Sequence, residues 1–109
     1  MDERERRIAL NEAVFREANE RIRELNESFA TITNELVLVC ECGDGKCAEK
    51  ISIGPAAYEE LRADSAQFAV VPGHEIPDVE SVVARREGYD IVRKKEGIPR
   101  KVAEVTDPR

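Results

Sequence analysis

Three cysteines fall within eight residues, in Cys40-Glu41-Cys42-Gly43-Asp44-Gly45-Lys46-Cys47, and the single histidine, His74, follows the turn dipeptide Pro72-Gly73. Thiolates and imidazoles are the donors that a tetrahedral Zn²⁺ takes, and a structural site uses four of them with no open position. Cys40 and Cys42 are two apart, so on an extended chain both sulfurs project to one side. Gly43 and Gly45 permit the tight turn that returns Cys47 to the same point. The spacing C-x-C-x4-C-x26-H differs from the common C-x2-C knuckle. An odd cysteine count argues against a disulfide framework. An iron–sulfur cluster needs four cysteines or a Rieske-like histidine pair, which the chain lacks. Cys40, Cys42, Cys47 and His74 are therefore the predicted ligands of one structural zinc ion.

The elements that must position these ligands are legible in outline. Leu36 to Cys40 reads as a strand running into the cysteine turn, and Lys50-Ile51-Ser52-Ile53 as the strand returning from it. Gly54-Pro55 opens a short helix on which Tyr58 and Leu61 face inward. Phe68 to Val71 is a third strand that delivers Pro72-Gly73-His74. Val79 to Arg86 and Tyr89 to Lys95 flank Glu87-Gly88 as a hairpin. Both ligand clusters then lie at strand ends, where two loops converge.

Ahead of this unit, residues 3–32 read as one helix. Ile8, Phe15, Ile22 and Phe29 recur every seven residues, and Asn11, Ala18, Leu25 and Ile32 follow three behind. Thirty residues span about 45 Å, whereas a compact body of some 75 residues has a radius of about 11–12 Å. The helix should overhang its own domain. Ile8, Phe15, Ala18, Ile22, Leu25 and Phe29 form the predicted seam toward a second copy or a protein partner, with coiled-coil pairing to give a dimer as the leading arrangement and packing of the stripe on the chain's own sheet as the alternative.

The expected fold class is α+β: a long N-terminal amphipathic helix (1–33), a small zinc-stapled antiparallel β domain with one short helix (34–96), and a polar C-terminal tail (97–109). At 109 residues, with 37% charged and 5% aromatic side chains, the core is lean. Small chains of this kind commonly recruit a metal or a partner subunit. No apolar run approaches the length of a membrane span, and the charged start, Met1 to Arg7, lacks the apolar region of a secretory signal. The expected setting is the reducing cytoplasm, which keeps thiolates free for metal.

Charge is uneven: residues 1–35, 36–80 and 81–109 carry net −3, −6 and +3. The acidic whole, −6, argues against non-specific nucleic-acid binding. Only the hairpin residues Arg85, Arg86, Arg93, Lys94 and Lys95 keep that function open. Zinc-enzyme signatures such as H-E-x-x-H, or the H-x-E with P-C-x-x-C of deaminases, are missing. A thiol or metal-level sensor is an alternative use of three cysteines around one ion.

Several blocks together resemble a known family: Asn11 to Ile22, Cys40-Glu41-Cys42-Gly43-Asp44 with Cys47, Tyr58-Glu59 with Arg62-Ala63-Asp64, Phe68, Val71-Pro72-Gly73-His74-Glu75, and Thr106-Asp107-Pro108-Arg109. They look like a family of small zinc-binding bacterial proteins, of the high-GC Gram-positive type, to which no activity is assigned. The resemblance spans nearly the whole chain and implies a zinc ion without implying a reaction. The C-x-C start is also similar to the SWIM-type finger, but that pattern closes with a nearby C-x-H that this chain lacks.

Overall fold

A computed structural model describes residues 3–27 and 35–109. It measures 44 × 25 × 25 Å. The elements run α1 (Glu3–Glu27), β1 (Leu36–Val39), β2 (Lys50–Ile53), α2 (Pro55–Arg62), β3 (Gln67–Val70), β4 (Glu80–Arg86), β5 (Tyr89–Lys94) and α3 (Ile98–Val105). The fold is α+β, as expected. Seam position Phe29, together with Ile32, lies outside the described residues.

β1 and β2 form an antiparallel hairpin with Leu36 opposite Ile53 and Val39 opposite Lys50. The second sheet has the order β3-β5-β4, antiparallel throughout. Alternation sorts the β1–β2 hairpin: Leu36, Leu38, Ile51 and Ile53 are buried, whereas Val37 and Ser52 face out. These four pack with Tyr58 and Leu61 of α2, Ala69 and Tyr89. A second cluster joins Cys40 and Cys42 to Phe68, Val70, Val92 and Ala103, so two of the thiols are part of the core.

Pro55 occupies the first turn of α2, where its fixed φ suits a helix and its missing N–H costs nothing. The same logic holds for a helix that the sequence did not announce. The segment expected as a polar tail contains α3, with Pro99 in its first turn and Ala103 buried. Pro99 reads as a helix breaker only if the helix is assumed to start before it. The chain end is held as well: Arg109 donates to Glu20 (2.9 Å) and to Glu59 (2.8 and 3.1 Å).

Helix α1, 25 residues or about 38 Å long, docks by a polar face. Glu12, Arg16, Asn19 and Glu20 are all buried. Arg16 donates to the carbonyls of Ser65 and Ala103, both at 2.6 Å, and stacks 4.4 Å from the Phe68 ring centre. Asn19 exchanges hydrogen bonds with both main-chain groups of Val39 at 2.8 Å. Glu12 pairs with the ammonium of Lys94, which also donates to Glu80 at 2.8 Å. Glu80 and Lys94 face each other across β4 and β5.

The predicted seam is divided by this docking. Ile8 is buried, and Ile22 packs on the first core cluster. Phe15 and Ala18 are half-buried, and Leu25 is 67% exposed. The most open apolar side chains of the helix besides Leu25 are Leu10 and Val14, at 46% and 64%. The inward face is centred on Glu12, Arg16 and Asn19, because these charged and amide groups find partners inside. The outward apolar stripe is therefore rotated away from the heptad expected.

Candidate metal centre

The β1–β2 hairpin carries the cysteines in the loop that joins its two strands. β1 feeds Cys40 directly, and the Cys40 N–H donates to the Glu49 carbonyl at 2.9 Å, which closes the loop at its base. Within the loop, Asp44 Oδ1 accepts the Lys46 N–H at 2.9 Å and its carbonyl accepts the Cys47 N–H at 3.0 Å. Gly43 is required by close approach: a Cβ there would lie 2.6 Å from Ile8 Cγ2 and 2.8 Å from Ile76 Cδ1. Asn11 of α1 donates to the Gly43 carbonyl at 2.9 Å. The helix thus presses on the outside of the cysteine loop.

The second ligand segment hangs from β3. A turn in which the His74 N–H donates to the Val71 carbonyl (2.9 Å) places the imidazole over the thiols. Gly73 adopts φ of +91° there, a conformation that favours glycine. The Val71 N–H donates to Cys40 Sγ at 3.2 Å, tying the two segments together.

The donor atoms of Cys40, Cys42, Cys47 and His74 all lie within 4.8 Å of one another. His74 Nδ1 is 3.7 Å from both Cys40 Sγ and Cys47 Sγ. A tetrahedral Zn²⁺ with bonds of about 2.3 Å to sulfur and about 2.0–2.1 Å to nitrogen sets those atoms roughly 3.6 Å apart. All four predicted residues therefore converge, in a geometry that suits a metal ion and with a donor set typical of structural sites. Cys40 and Cys42 are buried, and Cys47 is half-exposed. Burial pushes the thiols of Cys40 and Cys42 up from their ordinary value, so a bound cation is what would hold them as thiolates.

Two carboxylates of the loop, Glu41 and Asp44, are engaged by other partners. Glu41 lies between Cys40 and Cys42 on the alternate face. Its oxygens are held by Arg62 (2.6 and 2.7 Å), Asn19 (2.7 Å) and the Ala69 N–H (3.0 Å). Its own N–H donates to the Ala69 carbonyl at 2.9 Å. Asp44 is occupied by the turn. The carboxylate that touches one of the four clustered residues is Glu49, whose Oε2 lies 2.8 Å from His74 Nε2. Its signal in the sequence is alternation, two residues beyond Cys47 on a chain entering a strand.

The basic hairpin forms between β4 and β5, yet its charges do not make one face. Lys94 is buried between Glu12 and Glu80. That is a correction to its expected place at the surface, because the register that sets it opposite Glu80 turns it inward. Arg85 pairs with Asp90 at 2.9 Å and Arg93 with Asp64 at 2.7 Å. Arg86 and Lys95 are exposed. No helix among the described residues is long and apolar enough to cross a membrane. Comparison with family models, curated proteins and solved structures gives no match.

Proposed function

We propose that this chain is a non-enzymatic zinc-binding interaction module: Cys40, Cys42, Cys47 and His74 hold one structural Zn²⁺, and α1 makes homo-oligomer or protein-partner contacts through its outward face. The observation that carries the metal is the equal 3.7 Å separation of His74 Nδ1 from two thiol sulfurs, drawn from segments 27 and 34 residues apart. Four protein ligands leave a tetrahedral ion no position for water, which supports a structural rather than a catalytic role. The family resemblance noted in the sequence implies the same ion. The contact role of α1 is supported by Leu10, Val14 and Leu25, which stand exposed on a helix anchored by its polar face. Metal analysis combined with solution mass tests both parts. The proposal expects one zinc per chain and a mass above that of a single chain. A metal-free, stably folded protein would refute the first part, and a strict monomer in isolation and among its cellular partners would refute the second.

A thiol-based sensor is the second reading, and the half-exposed Cys47 favours it. It requires that mild peroxide release the ion. Retention of zinc under peroxide dismisses it.

A further inference from the structure

The imidazole of His74 has two nitrogens, and the site needs only one of them. Nδ1 faces Cys40 and Cys47, both at 3.7 Å. Nε2 faces outward and meets Glu49 Oε2 at 2.8 Å. An ionised carboxylate accepts hydrogen bonds and donates none. Glu49 therefore fixes the proton of a neutral His74 on Nε2 and leaves the Nδ1 lone pair free, on the side of the thiols. The ring that a metal needs is the ring that this contact selects.

Glu49 acts on the other segment too. Its carbonyl accepts the Cys40 N–H at 2.9 Å at the base of the cysteine loop. One residue thus clamps Cys40 by its main chain and His74 by its side chain, and these are the two segments that must meet. We infer that Glu49 is the positioning residue of this metal centre, holding His74 in the tautomer and orientation that present Nδ1 to the ion. The inference rests on the metal reading given above and adds a residue that is not itself a ligand. The Glu49 side chain is largely exposed, and an exposed ion pair adds little to folding on its own. Its effect should appear in metal affinity and in the state of the ring, with the fold intact.

The test uses the full chain with Glu49→Ala and Glu49→Gln, each titrated with Zn²⁺ against a chromophoric chelator. Nitrogen NMR of the zinc-loaded proteins reads which ring nitrogen of His74 carries the proton. Removing a carboxylate that supports a ligating histidine typically weakens metal binding about 10–100-fold, and that loss is expected for Glu49→Ala. The Gln amide carbonyl accepts the same hydrogen bond, so Glu49→Gln should bind more tightly than Glu49→Ala. In wild type the Nε2 proton should be protected from exchange, and in Glu49→Ala it should exchange freely. Unchanged affinity and protection in Glu49→Ala would overturn the role of Glu49 while leaving the metal site standing. A wild-type chain that takes up no Zn²⁺ would overturn the metal reading and this inference together.

Discussion

Glu41 and Arg62 form a fully buried ion pair, with one guanidinium nitrogen 2.6 and 2.7 Å from the two carboxylate oxygens. The pair sits directly behind the thiols, because Glu41 is the residue between Cys40 and Cys42. Strand alternation sends the sulfurs one way and the carboxylate the other. The same carboxylate also receives Asn19 from α1 and the main chain of β3. Three elements, α1, α2 and β3, therefore meet on the reverse side of the cysteine segment.

Breaking this pair from one side should be costly. In Glu41→Ala the guanidinium of Arg62 would remain buried with no counter-charge, and its Nε and Nη1 already lack hydrogen-bond partners among the described residues. A loss of about 3–5 kcal/mol is expected. Glu41→Leu combined with Arg62→Met should lose much less than the two single changes together. Urea denaturation of the zinc-loaded proteins measures the cycle, and additive losses would show that the two groups do not act as a pair.

A methyl group at Gly43 has nowhere to go. Gly43→Ala must displace Ile8 or Ile76, because its Cβ would fall 2.6 and 2.8 Å from their side chains. Overpacking of this kind costs about 1–3 kcal/mol. Trimming Ile76 to Val in the same chain, which removes the Cδ1 that the new methyl meets, should recover part of the loss. Equal stability of Gly43→Ala and wild type would mean that α1 does not press on the cysteine loop.

Glu12 gives the fold a pH dependence with a definite sign. Burial pushes its carboxyl well above its ordinary value of 4.5; the Lys94 ammonium opposes that shift and the neighbouring Glu80 adds to it. Arg16 is the other charge beside it. Glu12 therefore holds a proton in the folded state at pH values where the unfolded chain releases it. Stability from this group is fully present below pH 4.5 and is lost as pH rises toward the raised folded value. Glu59 works in the opposite sense: Arg109 lowers its pKa, so its contribution is lost as pH falls. The informative quantity is therefore the difference between wild type and Glu12→Gln. Wild type should lose stability relative to the variant as pH rises above 4.5, and parallel pH profiles would remove Glu12 from the account.

The outward face of α1 makes its own prediction. If copies of the chain associate there, Leu10→Lys and Leu25→Lys should each weaken association roughly tenfold or more, the scale of one buried leucine. Zinc content should not change. Light scattering across a concentration series reads the outcome. A wild type that stays a single chain at all concentrations leaves this face to a different partner protein, and the self-association part fails.

Much of this fold was legible from residue order. The β1–β2 hairpin, α2, β3 and the β4–β5 hairpin each carry alternation or a turn signal of their own. The four candidate ligands were legible because thiols and imidazole are rare and here fall beside turns. The docking face of α1 was hidden for a physical reason. Hydrophobic periodicity assigns Glu12, Arg16 and Glu20 to solvent, whereas their partners Lys94, Ala103 and Arg109 lie 82 to 89 residues away. A charge buried by a distant partner leaves no local pattern. Glu49 stays exposed, and its alternation with Cys47 acquires meaning only from His74, 25 residues on.

X-ray absorption at the zinc edge of the purified, zinc-loaded chain tests the central claim most directly. The account predicts one ion per chain, with three sulfurs at about 2.3 Å and one nitrogen at about 2.0–2.1 Å. A chain that holds no zinc, or an ion with two sulfurs and the remainder water oxygen, would contradict it.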